Sequence, residues 1–254
     1  MSAAASADRS AKLVQFKLHD INVHFGSQHA LHGIHLEIAK GDRLALIGAN
    51  GSGKSTLLRV LHGLITLTSN KASGRLTGLI ETLPETRQAM LFQRPHMLRM
   101  SVLNNVTLAA WLAGQSWSNA KQLAMIQLNH VGLLEPARRQ ANTLSQGQQQ
   151  RLAFARARVT QPNVLILDEP TASLDPGSKR EVEGLMHAFA EEDNGLTLIF
   201  ASHNLGQVKR LATHVAYLEY GNLLACLPVD DFFDEERLKA VSMQAQKFLK
   251  GDLF

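Results

Sequence analysis

The segment at residues 48–56 combines three glycines with a lysine and two hydroxyl residues, and it lies between two apolar runs. The run before it, residues 44–47, has the composition of a buried strand, and the run after it is typical of a helix. Glycine lets a tight turn point its N–H groups inward, and the helix N-terminus adds a partial positive charge. A glycine-rich turn without a ligand is disfavoured by this strand-before, helix-after context. We therefore predict that a nucleotide's phosphates contact Gly48, Asn50, Gly51, Ser52, Gly53, Lys54, Ser55 and Thr56.

Two carboxylates, Asp168 and Glu169, follow a second apolar run at residues 164–167. Open α/β sheets present ligands at the carboxyl ends of their strands, so both side chains are expected near the phosphates that Lys54 would reach. We predict that Asp168 and Ser55 bind Mg²⁺, and that Glu169 is the general base that polarises or orients the attacking water. Alone, this Asp-Glu-Pro sequence is as compatible with merely ending a strand and starting a turn as with a catalytic role, but the phosphate cradle favours the catalytic interpretation.

Length and composition restrict the possible classes of protein. The 254 residues suffice for one α/β domain, which we predict over residues 13–254, after a short disordered extension at residues 1–12. The single Cys226 excludes a disulfide within the chain and is expected to be a buried residue of a C-terminal strand in a reducing compartment. No apolar run reaches the length of a membrane span. The net charge of +4 comes from scattered basic residues, so we predict no nucleic-acid partner.

Hydrophobic periodicity predicts three kinds of structure along the chain. Alternation at residues 14–18, 21–25 and 34–38 indicates an antiparallel β-subdomain, whereas continuous apolar runs at 43–47, 164–167 and 196–201 indicate strands of a parallel sheet. Between them, residues 101–134 have helical spacing that is interrupted at 114–118, and a further helix is expected from Ser145 to about Val159. The predicted fold is α/β: a P-loop NTPase core with a mainly parallel sheet, an antiparallel N-terminal β-subdomain and an inserted helical subdomain at about residues 94–160.

A third motif, Leu144-Ser145-Gln146-Gly147-Gln148, distinguishes among proteins that have such a core. With this motif the chain resembles the ATPase subunits of ABC transporters, from Leu13 to about Cys226. The resemblance implies that Ser145, Gly147 and Gln148 bind the γ-phosphate of an ATP held by the phosphate cradle of a second copy. Gln146 stands where the family usually has glycine, a position at which substitution occurs within the family.

Four further positions match that family's motifs. By resemblance, Gln93 senses Mg²⁺ and the attacking water, Asp175 belongs to a loop that crosses the dimer interface, and His203 contacts the γ-phosphate. Phe25 stands where the family places an aromatic ring against adenine, although a phenylalanine in a strand is more commonly a core residue. Asn204 replaces the aspartate that is common after this histidine.

The resemblance also implies the partners and the location of the protein. The cofactors are ATP and Mg²⁺, and two copies close on two ATP molecules. We expect residues 94–100 to dock onto a transmembrane permease subunit at the cytoplasmic face of the inner membrane, although an ordinary packing loop is the alternative. An extracytoplasmic solute-binding protein would complete an importer. The amino-acid sequence of residues 91–102 is most similar to that of importers of oxyanions such as tungstate, molybdate or phosphate.

Three alternatives stay open at this point. A soluble assembly ATPase would share the motifs but lack a membrane partner, and an importer or exporter of another solute would share every feature named above. A DNA-repair or chromosome ATPase is disfavoured because the interval between the cradle and Ser145 has no sustained heptads.

Overall fold

Residues 13–66, 75–192 and 195–251 are described by the computed structural model, and the extension expected at residues 1–12 lies outside the described residues. The strands are β1 (Val14–Phe25), β2 (Gln28–Ala39), β3 (Arg43–Ile47), β4 (Arg75–Thr82), β5 (Gln88–Leu91), β6 (Val164–Asp168), β7 (Thr197–Ala201), β8 (His214–Glu219) and β9 (Asn222–Pro228). The helices are α1 (Lys54–Leu61), α2 (Val102–Leu112), α3 (Trp117–His130), α4 (Gln146–Arg158), α5 (Pro176–Glu192), α6 (Leu205–Leu211), α7 (Val229–Phe232), α8 (Glu235–Val241) and α9 (Met243–Lys250).

These strands form two sheets. The smaller sheet is antiparallel, with the order β2-β1-β4, and the larger has the order β5-β6-β7-β3-β8-β9. In the larger sheet every pair is parallel except β8 with β9. The carboxyl ends of β3, β5, β6 and β7 therefore meet at one edge, where open α/β sheets bind their ligands.

The continuous apolar strands of the larger sheet are buried on both faces, as their composition predicts. On β3, Leu44 and Leu46 contribute to a core shared with the small sheet and α1, whereas Ala45 and Ile47 contribute to a second core. That second core contains the buried residues of the helical lobe, α5 and the C-terminal helices. The sheet is thus held between two hydrophobic layers, which fix the position of its carboxyl-end loops.

The helical lobe is inserted between β5 and β6, as expected from the periodicity. Ser101 caps α2 by accepting the Asn104 N–H, and Ser116 caps α3 by accepting the Asn119 N–H. Gly114, at a φ of +94°, lies in the turn between these helices. The predicted fold class is confirmed, including the mainly parallel sheet and the helical insertion.

The N-terminal β-subdomain differs from the sequence-based expectation in its boundaries. The runs at 14–18 and 21–25 belong to one strand, β1, which has register shifts against β2 and a positive φ at Asp20. A bulged strand switches which residues face the core, so the alternation in the sequence is interrupted where the strand continues. Cys226 lies in β9 as predicted, but it is only partly buried.

Within the described ranges, none of the helices is both long and apolar enough to cross a membrane.

Candidate nucleotide site

The glycine-rich turn joins β3 to α1, and two of its glycines, Gly48 and Gly53, leave no room for a side chain. At Gly48, with a φ of +143°, a Cβ atom would come within 2.1 Å of the Leu218 carbonyl oxygen. At Gly53, the N-cap of α1 with a φ of +104°, a Cβ would lie 2.8 Å from a Leu31 methyl group. The turn thus packs against β8 and β2, and the first N–H groups of α1 stay available to an anion.

Lys54 lies at the start of α1 with its side chain buried against the turn. Its Nζ donates to the carbonyl oxygens of Gly48, at 2.8 Å, and Ala49, at 2.9 Å. Burial lowers the pKa of the Lys54 ammonium, and the nearby carboxylates Glu169 and Asp168 oppose this shift. A phosphate would supply a charged acceptor in place of neutral carbonyl oxygens, which strengthens a hydrogen bond.

Ser55 and Asp168 meet beside this lysine. The Ser55 hydroxyl donates to Asp168 Oδ1 at 2.9 Å, which joins α1 to the carboxyl end of β6. Burial raises the pKa of the Asp168 carboxyl, and the hydrogen bond from Ser55 partly offsets that effect. A hydroxyl and a carboxylate oxygen are hard ligands that suit Mg²⁺, so this pair fits the predicted metal role.

The buried carboxylate predicts a gain in stability when its charge is removed. Without nucleotide or Mg²⁺, Asp168→Asn should raise the free energy of unfolding at pH 7, because the raised pKa means that folding opposes ionisation. The gain should diminish as the pH falls through the raised pKa, since the wild-type carboxyl is then protonated. Chemical unfolding at pH 7 and pH 4 measures this difference. A less stable variant at pH 7 would contradict it.

Glu169 is held between residues from two other strands. Gln93, after β5, donates from Nε2 to Glu169 Oε2 at 3.1 Å, and His203 Nε2, after β7, contacts the other carboxylate oxygen. Glu169 also has a positive φ of 49°, which is uncommon for a residue with a side chain. The three residues that were predicted separately from the sequence are therefore in contact at one edge of the sheet.

The loop that carries His203 is fixed by a buried glutamine that the sequence analysis did not identify. Gln207 is fully buried; its Oε1 accepts the Ser202 hydroxyl at 2.6 Å, and its Nε2 lies 3.2 Å from Thr171 Oγ1. Asn204 caps α6 by accepting the Gln207 N–H. Gln207 therefore couples the loops after β6 and β7, and no motif or periodicity marked it.

A cavity of about 810 Å³ extends from the phosphate cradle toward the small sheet. It brings together most of the predicted site residues and adds several from the start of β2 and from the β8–β9 turn. Its predicted members are Phe25, Asn50, Gly51, Ser52, Gly53, Lys54, Ser55, Thr56, Gln93, Glu169 and His203, and its additional members include Gln28, His29, His32 and Tyr220.

Two of the additional cavity residues belong to a stack of three imidazoles. The ring centroid of His29 lies 3.8 Å from that of His24 on one side and 3.8 Å from that of His32 on the other. Burial lowers the pKa of His32, and its two histidine neighbours lower it further. The end of the cavity nearest Phe25 is thus lined by flat rings, which suit a nucleotide base.

The Ser145 motif begins α4 and has an intact helix cap. The Ser145 side chain accepts the Gln148 N–H, and the Gln148 side chain accepts the Ser145 N–H in return. Gln146 is the first residue of the helix and does not have a positive φ, so this position requires no glycine. The substitution noted in the sequence leaves the local backbone helical.

The described residues that line the cavity include none from this motif. Gln146 instead lines a separate depression with Arg94, Pro95 and Leu174. The predicted γ-phosphate ligands Ser145, Gly147 and Gln148 therefore lie apart from the cradle of the same chain. This is the arrangement expected if they serve a second copy.

Gly147 is where α4 packs most closely on α5. A Cβ at Gly147 would lie 2.3 Å from the Ser178 hydroxyl and 2.7 Å from its Cβ. Asp175, the predicted interface residue, accepts N–H bonds from Gly177 and Ser178 just before this contact. Hydrogen bonds from the Ser178 side chain and backbone lower the pKa of the Asp175 carboxyl.

Gly147→Ala should therefore move the start of α4 and lower the free energy of unfolding by about 1–3 kcal/mol. ATP binding to the isolated chain should change little, whereas ATP-dependent pairing of chains should be lost. Adding Ser178→Gly removes both clashing atoms and should recover pairing and part of the lost stability, as light scattering and thermal unfolding would measure. Recovery of stability is partial because the change also removes the Ser178 hydrogen bond to Asp175 and places a glycine in α5. Full pairing by the single variant would contradict the steric account.

The fold and this arrangement together define a P-loop ATPase. The family model described as "ABC transporter" matches residues 31–172, and the chain belongs to this family. It is an ATP-binding and ATP-hydrolysing member.

Relatives at the sequence level cover most of the chain. It is 34% identical over 234 residues to the glutamine transport ATP-binding protein GlnQ of Geobacillus stearothermophilus, covering 87% of this chain and 95% of that one. The phosphate import ATP-binding protein PstB of Campylobacter jejuni is 33% identical, with 88% and 96% covered. The phosphonates import ATP-binding protein PhnC 2 of Cupriavidus metallidurans is 39% identical, with 76% and 74% covered.

Solved structures agree with the fold. CbiO1 of Clostridium perfringens, described as part of the ABC transporter complex CbiONQ, superposes with a TM-score of 0.74 at 26% identity. The superposition covers 94% of this chain and all of that one.

Proposed function

We propose that the chain is the ATP-hydrolysing subunit of a membrane importer, and that two copies close on two ATP molecules. The observation that supports this most is the separation of the Ser145 motif from the cradle at Lys54 within one chain. Each cavity then has a phosphate cradle and a catalytic carboxylate but lacks the second set of γ-phosphate donors. A second copy, placed head to tail, supplies them.

The chemistry proposed for the closed site is attack of water on the γ-phosphorus of ATP. Glu169 orients the water and takes its proton, while the bond from the γ-phosphorus to the bridging oxygen breaks and ADP leaves. Gln93 and His203 hold the Glu169 carboxylate and line the same cavity as the phosphate cradle. Ser55 and Asp168, with Gln93, would hold Mg²⁺, which neutralises charge on the phosphate oxygens when bound.

We propose that the docking surface for the permease is the segment at residues 94–100. A buried asparagine on α2 fixes this segment, because Asn105 accepts the Leu98 N–H and donates to the carbonyl oxygens of Leu98, Met100 and Ser101. Leu98 stays exposed on it between Arg94 and Arg99. A rigid backbone with an exposed apolar residue suits a docking helix of a partner.

For the cargo, we propose an oxyanion of the phosphate, molybdate or tungstate kind. Relatives named for phosphate and phosphonate import support this class, and the relatives named for glutamine transport make a polar amino acid the second candidate. The direction is import, and a solute-binding protein outside the membrane would deliver the cargo. The subunit would then lie at the cytoplasmic face of the inner membrane.

The test is ATP hydrolysis by the chain assembled with its permease and binding protein in proteoliposomes. Loaded binding protein should stimulate hydrolysis with phosphate or molybdate and not with glutamine, and the opposite preference would exclude the oxyanion proposal. Leu98→Glu should lose stimulation but retain basal hydrolysis. Leu79→Glu changes a leucine on β4 that is still more exposed, 55% against 38%, and should retain both. Purification without any integral membrane protein would favour the soluble assembly ATPase instead.

A further inference from the structure

The turn between α2 and α3 presents a group of exposed apolar side chains. Trp111 is 48% exposed, Leu112 72% and Trp117 51%, and we call these three residues the aromatic tip. The two indole rings contact edge to face, with their centroids 6.3 Å apart. They are the only tryptophans of the chain, so both large indole rings lie at the surface of one small turn.

The packing of the lobe explains why these side chains point outward. Alanines, Ala110 on α2 and Ala120 on α3, occupy the buried positions beside the tip. An exposed patch of adjacent large apolar residues is typical of an interaction site rather than of ordinary surface.

The helical lobe that carries the tip is strongly basic. Residues 94–160 contain eight Lys or Arg and one Asp or Glu, a formal charge of +7, whereas the whole chain is +4. Residues 86–134 contain no acidic residue. Lys121 follows Trp117 by one helical turn, so it lies on the same face of α3, and it is exposed. The lobe therefore presents apolar rings on a basic surface.

The aromatic tip is remote from the proposed docking segment. Residues 94–100 precede the first residue of α2, whereas Trp111 and Leu112 are its last two residues. A helix of 11 residues is about 16 Å long at the usual rise per residue. A partner helix bound at residues 94–100 leaves the tip uncovered.

We propose that the aromatic tip binds the surface of an anionic lipid bilayer. Tryptophan is enriched at the level of lipid headgroups, where its ring is buried and its N–H stays hydrated. Lys121, one helical turn from Trp117, would face lipid phosphates beside the tip, and basic residues near an anionic leaflet bind cooperatively with apolar anchors. The surface is neither long nor apolar enough to span the bilayer, so the contact is interfacial. This inference does not depend on the proposed transport role.

Tryptophan fluorescence tests the proposal directly, because both tryptophans belong to the tip. The full chain is mixed with vesicles of phosphatidylglycerol and phosphatidylethanolamine, and separately with phosphatidylcholine vesicles. Emission should shift to the blue and be quenched by brominated acyl chains with the anionic vesicles only. Added salt should weaken binding, because the attraction is partly electrostatic.

Matched variants distinguish vesicle binding by the aromatic tip from nonspecific hydrophobic adsorption of the protein. In co-sedimentation, Trp111→Ser with Trp117→Ser should lower vesicle binding about tenfold or more, which corresponds to about 1.4 kcal/mol. Val241→Ser with Met243→Ser removes two equally exposed apolar residues of α8 and α9 and should leave binding unchanged. Lys121→Glu should weaken binding, and Lys239→Glu should not.

Basal ATP hydrolysis should be the same in all four variants, which shows that they are folded and keeps this test distinct from the transport proposal. Wild-type emission that does not respond to anionic vesicles would overturn the proposal, as would equal binding by the tip variant. Loss of permease co-purification by the tip variant, without any vesicle binding by the wild type, would assign the tip to a protein partner instead.

Discussion

Glu169→Gln is expected to lower steady-state ATP hydrolysis by about 10²–10⁴-fold while ATP binding is retained. The amide cannot take a proton from water, yet it has almost the same shape and still accepts the hydrogen bond from Gln93. With binding intact and hydrolysis blocked, the protein should accumulate as an ATP-bound dimer. Single-turnover hydrolysis measures the rate, and nucleotide titration measures the affinity.

Glu183→Gln is the matched control for this variant. The Glu183 side chain is 15% exposed and the Glu169 side chain 16%, and each contacts a basic side chain, Glu183 that of Arg210. The control removes the same charge from α5, away from the cavity, so hydrolysis should stay at the wild-type rate. Full hydrolysis by Glu169→Gln would exclude Glu169 as the general base.

Lys54→Met is expected to weaken ATP binding about 10- to 100-fold, the effect of losing one hydrogen bond from a charged donor. Methionine keeps most of the apolar stem, so packing at the start of α1 should be retained. The free protein should lose little stability, because burial already disfavours the Lys54 charge. Calorimetric titration with ATP, with thermal unfolding in parallel, measures both effects.

Lys179→Met provides the comparison, because Lys179 lies on α5 beside Glu169 and His203 in a neighbouring depression. This substitution removes a lysine charge outside the cradle. It should leave the affinity for ATP within about twofold of the wild-type value, as is usual for surface substitutions. An ATP titration of Lys54→Met that matched the wild type would contradict the cradle assignment.

The sequence predicted those parts of the site that depend on local structure. The turn at residues 48–56 lies between a strand and a helix whose patterns are strong, and Asp168 and Glu169 directly follow a strand that is buried on both faces. The class of fold followed from the same patterns. Contact among Gln93, Glu169 and His203 depends on the order of the strands in the sheet. It was expected only on the assumption that their three strands are parallel and end at the same edge.

Features that depend on packing between distant segments were not predictable. His29 reaches the cavity from the start of β2 and Tyr220 from the β8–β9 turn of the other sheet, and nothing in the local sequence marks either residue. The close contact of Gly147 with Ser178 joins two helices across the chain, and Gln207 fixes two loops through buried hydrogen bonds. Such contacts arise from the tertiary fold rather than from periodicity or motif spacing.

The central claim is that the cavity of one chain is half of an ATP site, and mixing two inactive variants tests it most directly. Lys54→Met impairs the cradle but leaves the Ser145 motif intact. Ser145→Asp keeps a good helix cap and places a negative charge against the γ-phosphate, while its own cradle stays intact. Each variant alone should hydrolyse ATP at a small fraction of the wild-type rate.

In an equal mixture, half of the dimers should contain one intact site, formed by the cradle of the Ser145→Asp chain and the Ser145 motif of the Lys54→Met chain. The ATPase rate should therefore rise to about one quarter of the wild-type value if chains exchange freely and sites act independently. A mixture that hydrolyses ATP no faster than the mean of its two components would contradict the account.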